Sequence, residues 1–587
     1  MPEGPSRREF LAAGAAAGAA RALGGPAPTP AARATAPPPG VVPLTSTTDV
    51  YVPPRGNAFN TFSFDFPEPS VRFGGLTVGF RVFTRENAYG LNASSMSVDD
   101  SGDALTLRCT QLVWAGGQER APGSLTATFR KNGDAVEWEA VAELDQPVKS
   151  VTAVVRGVPR GHLSTGGAPF DPKDDEILYG YPFGAGDLFG GNTAWSMGTP
   201  FVTVVADGGA VWSLSSLDDR VRAKRFYFQP GEHGYRIELV HEGEGWLDQR
   251  RLAVPAWHVG PAASVDAALD AHYAHLERAY ALVPVADRRD APPWLQDIGL
   301  VLSIHQMHWT GYIFNDYART LEILRWAADR FPPRRTLVFL PAWDGRYYWA
   351  YPEYRADDRL GGDAGFRRLV GEAMRLGFHV MPMFGMNAAN RRQPSFAGVS
   401  DATVARIDGD VMDINWVDWD NDRHQEGWNA FMNLGVDSWR RWLTSRIASV
   451  IDTYGVDGYF LDISGGWTNN TRADMHEGTR RMVQELWTRY PRVLACGEFS
   501  YDALLGVLPM FHVYSPRVAR YARCFSHLSH PAPGRGSSGV HESGFGRFDP
   551  ATLGLSPGTI PTLTVVDDTF DAHRDVMEAL LQRARQG

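Results

Sequence analysis

The chain has 587 residues, 44% hydrophobic and 21% charged, an ordinary globular composition with room for two or three domains. A formal net charge of −10 argues against nucleic acid or an anionic membrane as the main partner. Three cysteines make no disulfide framework, and no C-x-x-C or H-E-x-x-H spacing marks zinc, so neither a metal nor a cofactor is expected.

The N-terminus reads Ser6-Arg7-Arg8-Glu9-Phe10-Leu11, followed by a short Ala/Gly-rich apolar run. This matches a twin-arginine export signal, with Ala32-Arg33-Ala34 as a plausible cleavage site and a Pro-rich linker to Pro43. Export in a folded state is therefore expected, to the periplasm or the exterior. Arg7→Lys with Arg8→Lys should retain the precursor in the cytoplasm. Normal export of that variant in a strain lacking the twin-arginine machinery would show that the signal is something else. No later stretch reaches the ~18 apolar residues of a membrane span.

Residues 44–263 read mostly as strands. Runs at 105–109 and 125–129 alternate apolar and polar residues, and Lys131-Asn132-Gly133-Asp134 reads as a hairpin turn leading into a return strand at 135–142. Repeated short strands with turn signals predict an N-terminal β-sandwich. Residues 264–292 have helical spacing and then a linker composition.

From 293 to 587, strand and helix patterns alternate. Strands are predicted at 298–303, 335–340, 378–384, 456–462 and 492–498. Three less distinct ones fall at 510–514, 523–528 and 560–566. Helices are predicted at 317–331, 365–376, 438–454, 473–490 and 573–585, and Arg517 to Arg523 reads as an exposed helix face. Eight strands in under 300 residues fit a (β/α)₈ TIM barrel after the sandwich.

Asp462 ends the fourth strand and Glu498 the fifth, 36 positions later (498 − 462). In a parallel barrel both ends lie on the rim where catalytic residues collect. Two carboxyl groups across a small gap suit glycosidic bond cleavage, one attacking the anomeric carbon and the other protonating the leaving oxygen. Glu is depleted in strands, and this one follows the apolar run Val493-Leu494-Ala495-Cys496, so a bland role explains it poorly. Neighbouring strands predict the spacing of a retaining enzyme, about 5–5.5 Å, rather than the roughly 6.5–9.5 Å of an inverting one.

Other rim positions carry sugar-binding residue types: His305 and Trp309 after the first strand, Trp343 and Asp344 after the second, and Asn387 after the third. Trp467 follows Asp462 in a Gly-containing loop, and His527 and His530 follow the seventh strand. The Asp- and Trp-rich insertion at 413–428 has alternating Asp418, Asp420 and Asp422 but lacks the Gly and late Glu of an EF-hand, and reads as a solvated loop. Cys496 reads as a small packed residue and Asp457 as structural.

The run Val456-Asp457-Gly458-Tyr459-Phe460-Leu461-Asp462, with a strand ending Gly497-Glu498 one repeat later, resembles the α-amylase superfamily. The stretch from Tyr459 to Gly466 also resembles the endo-α-N-acetylgalactosaminidase group, which places a β-sandwich before its barrel. The resemblance implies Asp462 as nucleophile and Glu498 as acid/base. Phe460 stands where amylases carry Arg. α-Galactosidase-type barrels also follow a β-sandwich, but their acid lies two strands after the nucleophile. The expected activity is an exported glycosidase acting on an oligosaccharide, polysaccharide or glycoconjugate. A non-catalytic carbohydrate-binding protein and a transglycosidase or isomerase remain alternatives. Oligomeric state is not legible in the sequence.

Overall fold

A computed structural model describes residues 41–44, 68–114, 119–166, 173–174, 176–182, 195–308, 311–346, 348–407, 409–413, 429–512, 517–525 and 558–585. Up to Ala262, the described residues form two sheets, of eleven and eight strands, antiparallel but for one short pair. Alternation drives this: in Ser124–Asn132 every second residue from Leu125 to Phe129 is buried. That strand turns back into Ala135–Glu143 through Gly133 and Asp134, with Gly133 at φ 60, a backbone region that glycine enters without strain. Aromatic rings from the two sheets meet, Phe80 with Phe129 at 6.1 Å and Phe226 with Trp257 at 5.2 Å.

Helix α1 (Val265–Ala279) joins these sheets to the remainder. The Ser264 side chain caps it by accepting from the Ala267 N–H. Its buried face carries Leu269, His272, Tyr273 and Leu276, and Tyr273 stacks on Tyr521 of the second region at 5.9 Å.

In the second region the described residues form a nearly closed parallel barrel of nine strand segments. They are β1 (Leu300–Ile304), β2 (Thr336–Leu340), β3 (His379–Gly385), β4 (Gly458–Asp462), β5 (Leu494–Glu498), β6 (Met510–His512), β7 (Arg523–Phe525), β8 (Thr559–Ile560) and β9 (Thr562–Val565). β8 pairs with β7 and β9 with β1, and the two segments are separated only by Pro561, which has no N–H to give a ladder. All of β1, β2 and β4 is buried, as expected for parallel strands covered on both faces.

Helices α2 (Tyr317–Ala328), α3 (Gly362–Leu376), α4 (Asp437–Tyr454), α5 (Met475–Arg489) and α6 (Arg574–Ala584) follow the expected pattern. Asp316 and Asp474 cap α2 and α5, while Gly377 and Gly455 end α3 and α4 in the left-handed conformation. The expected helix face from Arg517 to Arg523 is corrected. Only Val518–Tyr521 is helical, and Arg523 starts β7, where its guanidinium donates to the Ile298 carbonyl. No helix among the described residues is long and apolar enough to cross a membrane.

Candidate active site

β4 and β5 are parallel neighbours with Leu461 opposite Gly497, so Asp462 and Glu498 end adjacent strands on one rim. Both chain exits are unusual. Ile463 and Phe499, each following a carboxyl residue, have φ of 57° and 55°. A β-branched residue there is strained, and such strain persists only where surrounding contacts hold it. Those contacts are visible. The Ile463 N–H donates to Glu498 Oε2 at 2.9 Å, and Ser464 Oγ donates to the Glu498 carbonyl at 2.6 Å. A Cβ on Gly497 would lie 2.3 Å from Ser464 Oγ, so only glycine admits this hydroxyl.

The two carboxyl groups lie within hydrogen-bonding reach of one another. Both groups are withdrawn from water. Asp462 is 2% exposed and the Glu498 side chain 14%. Removal from water pushes both carboxyls up, Asp462 the more strongly because the Glu498 charge adds to it. The Ile463 N–H favours the charged form of Glu498, and a hydrogen bond with Tyr348 favours that of Asp462.

Other expected site residues divide. Asn387 braces the loop after Asp462, donating from Nδ2 to the Ile463 carbonyl at 2.8 Å, while its Oδ1 is buried without a hydrogen-bond partner. His305 is buried beside β9, its N–H bonded to the Val565 carbonyl. Asp344 is buried with Oδ2 unpartnered. Asp344 and Asp462 both lie close enough to Tyr354 to act electrostatically on its hydroxyl.

Trp343 and Trp467 are corrected as open sugar platforms. Trp343 is 0% exposed, its Nε1 donates to the Met383 carbonyl at 2.8 Å, and its ring stacks on Phe366 of α3 at 4.7 Å. A ring covered in this way has no face for a pyranose. Trp467 is also buried, its indole N–H without a partner. Trp309, His527, His530 and residues 414–428 of the insertion, with Asp418, Asp420 and Asp422, lie outside the described residues. Cys496 is buried and unreactive in character, its thiol pushed well up by burial. Asp457 is structural in its contacts, accepting from the Val380 N–H at 3.3 Å.

Several neighbours of the pair were not anticipated. Tyr348 hydrogen-bonds Asp462, and His512, at the end of β6, holds Nδ1 3.9 Å from Glu498 Oε1. Gly385 sits opposite Asp462 on β3, and a Cβ there would lie 2.1 Å from the Tyr351 ring. The Tyr354 hydroxyl accepts from the Gly385 N–H at 3.0 Å. The signal was present: residues 346–354 (RYYWAYPEY) concentrate aromatics directly after a rim strand.

Burial, reinforced by the Asp357 charge and opposed by its own backbone N–H, pushes Asp344 up to about 8. The folded state therefore keeps this proton across a range where the unfolded chain, near the ordinary value of about 3.9, has lost it. That costs stability progressively as pH rises from about 4 to about 8. Asp344→Asn should gain in melting temperature over the wild type across that window. A difference that stays constant with pH would show that Asp344 is ionised in the fold.

No protein-family model and no curated protein matches the chain. Solved structures do. The ligand-free alpha-N-acetylgalactosaminidase of Bifidobacterium bifidum aligns with TM-score 0.60 at 14% identity, covering 89% of this chain and 91% of that one. Its GalNAc complex gives 0.61 at 13%, covering 88% and 90%. A GH36 alpha-galactosidase of Geobacillus stearothermophilus in complex with raffinose gives 0.51 at 12%, covering 93% and 84%. The chain shares its fold, over nearly its whole length, with structures of glycoside hydrolases.

Proposed function

We propose that the chain is a retaining glycoside hydrolase with Asp462 as nucleophile and Glu498 as acid/base. The observation that carries this is the pair itself: two carboxyls on adjacent barrel strand ends, largely out of water and both pushed up by burial. A retaining mechanism needs one ionised and one protonated carboxyl. Burial and the Glu498 charge disfavour the ionised form of Asp462, and the Ile463 N–H favours that of Glu498. As the sugar enters, the reactive arrangement has Asp462 ionised and Glu498 carrying the proton. Asp462 then attacks the anomeric carbon while Glu498 protonates the leaving oxygen. Glu498 afterwards takes a proton from the water that releases the sugar.

An acid two strands beyond the nucleophile, as in α-galactosidase-type barrels, has no candidate here. Residues 503–541, which include β6, β7 and the chain directly after each, contain neither Asp nor Glu. In this reading the two N-terminal sheets are a β-sandwich, and the twin-arginine segment exports the folded enzyme.

The fold relatives act on α-linked N-acetylgalactosamine and galactose by their names, and fold alone carries such a substrate only as analogy. We therefore place aryl α-N-acetylgalactosaminides and α-galactosides first in a panel of aryl α- and β-glycosides and polysaccharides. Turnover with retention on any of them, lost in Asp462→Asn, is the expected result. Binding without turnover across the panel would overturn the enzymatic reading.

A further inference from the structure

The N-terminal sheets reach both loops that leave the carboxyl pair, and they do so through buried polar bonds. After Glu498 the chain passes to Asp502, whose N–H donates to the Gly198 carbonyl at 2.7 Å. Its carboxylate accepts from the Tyr181 hydroxyl at 2.5 Å and from Thr199 Oγ1 at 3.0 Å. Thr199 Oγ1 also lies 2.6 Å from His272 Nε2 of α1. With its one proton given to Asp502, the hydroxyl accepts from His272, which fixes the imidazole in its Nε2–H form. After Asp462 the chain passes to Asn469, whose Nδ2 donates to Glu242 Oε2 at 3.0 Å and to the Gly243 carbonyl at 2.8 Å. Its Oδ1 accepts from the Gly245 N–H at 2.9 Å.

Asn469 thus directs its side-chain amide at residues 242–245 of the N-terminal region, and both Asp502 oxygens are bound by that region's hydroxyls. Apolar packing could dock two domains equally well. Buried, directional bonds lose much more when their geometry slips, because each leaves a desolvated polar group unmatched. The same two loops contain Ile463 and Phe499, held at positive φ beside the carboxyls. Strain of that kind needs external support.

We propose that Asp502 and Asn469 are positioning residues through which the N-terminal sheets set the separation of Asp462 and Glu498. The proposal rests on the reading of that pair as catalytic. In chemical terms, loosening either tie lets a loop relax toward ordinary φ and moves one carboxyl relative to the other.

The test uses the full chain with Tyr181→Phe, Thr199→Val, Thr199→Ser and Asn469→Ala. Amide hydrogen exchange should rise several-fold at 499–506 in Tyr181→Phe and Thr199→Val, and at 463–474 in Asn469→Ala. β1 should stay protected in all of them. Thr199→Ser, which keeps the hydroxyl, should behave as the wild type. In the loosened variants kcat should fall about ten- to a hundredfold with KM near the wild-type value, since misplaced groups lose rate more than binding. Exchange that is unchanged, or raised equally throughout the barrel, overturns the clamp whatever the activity. So does loosened exchange with unchanged kcat. If the wild type turns over no glycoside while the exchange changes stay confined to these loops, the catalytic reading fails and the holding role stands.

Discussion

Asp462→Asn should abolish turnover, by about 10⁴-fold or more, on every substrate irrespective of leaving group. The same change should leave the protein folded and more stable at neutral pH. Asp462 is pushed well above the ordinary carboxyl value by burial and by Glu498. A carboxyl raised in the fold costs stability as pH climbs above its unfolded value near 4, and asparagine does not titrate. Melting temperatures from pH 4 to 8 should therefore separate in favour of the variant. Glu498→Gln should behave differently. Substrates with acidic leaving groups need little protonation, so their first step should survive, and azide should rescue the second as a nucleophile that needs no general base. Rescue of Asp462→Asn rather than Glu498→Gln in the second step would reverse the two roles. Equal loss in both variants on all leaving groups, without rescue, would remove Glu498 from acid/base chemistry.

Trp343→Ala should cost about 3–5 kcal/mol of stability, the range for deleting a buried Trp or Phe. Its indole is wedged among Phe366, Phe384 and Tyr454, and its N–H is committed to the Met383 carbonyl on β3. Deletion opens a large cavity between the strands and α3 and α4, and leaves a buried carbonyl without its donor. Trp343→Phe should recover part of the packing but not the hydrogen bond. Denaturant titration of the barrel measures both. A variant of normal stability with weakened sugar binding would return Trp343 to the rim as a platform.

Trp343 also illustrates where sequence reading stops. A Trp after a rim strand has two possible directions, toward the cavity or back between strand and helix. The residues that decide, Phe366 and Tyr454, lie on later helices. The run Tyr347-Tyr348-Trp349 and its neighbours was equally visible, yet nothing local says that Tyr348 meets Asp462 or that Gly385 opens room for Tyr351.

The barrel strands and the acids at their ends were readable because apolar runs, turn residues and strand length act between near neighbours in the chain. β4 and β5 end at Asp462 and Glu498 as expected, and differ only by starting two residues later than their apolar patterns. β6 and β7 begin where expected, and the remainder of both expected ranges lies outside the described residues. Local pattern likewise set the hairpin at Gly133 and the caps at Asp316, Asp474, Gly377 and Gly455. Tertiary structure alone decided the raised carboxyls of Asp462, Glu498 and Asp344. All three depend on how much water the whole fold excludes. It also decided the tie from Tyr181 to Asp502, which joins positions 321 residues apart. Desolvation and long-range hydrogen bonding are properties of what surrounds a residue in space, and neighbours along the chain do not specify them.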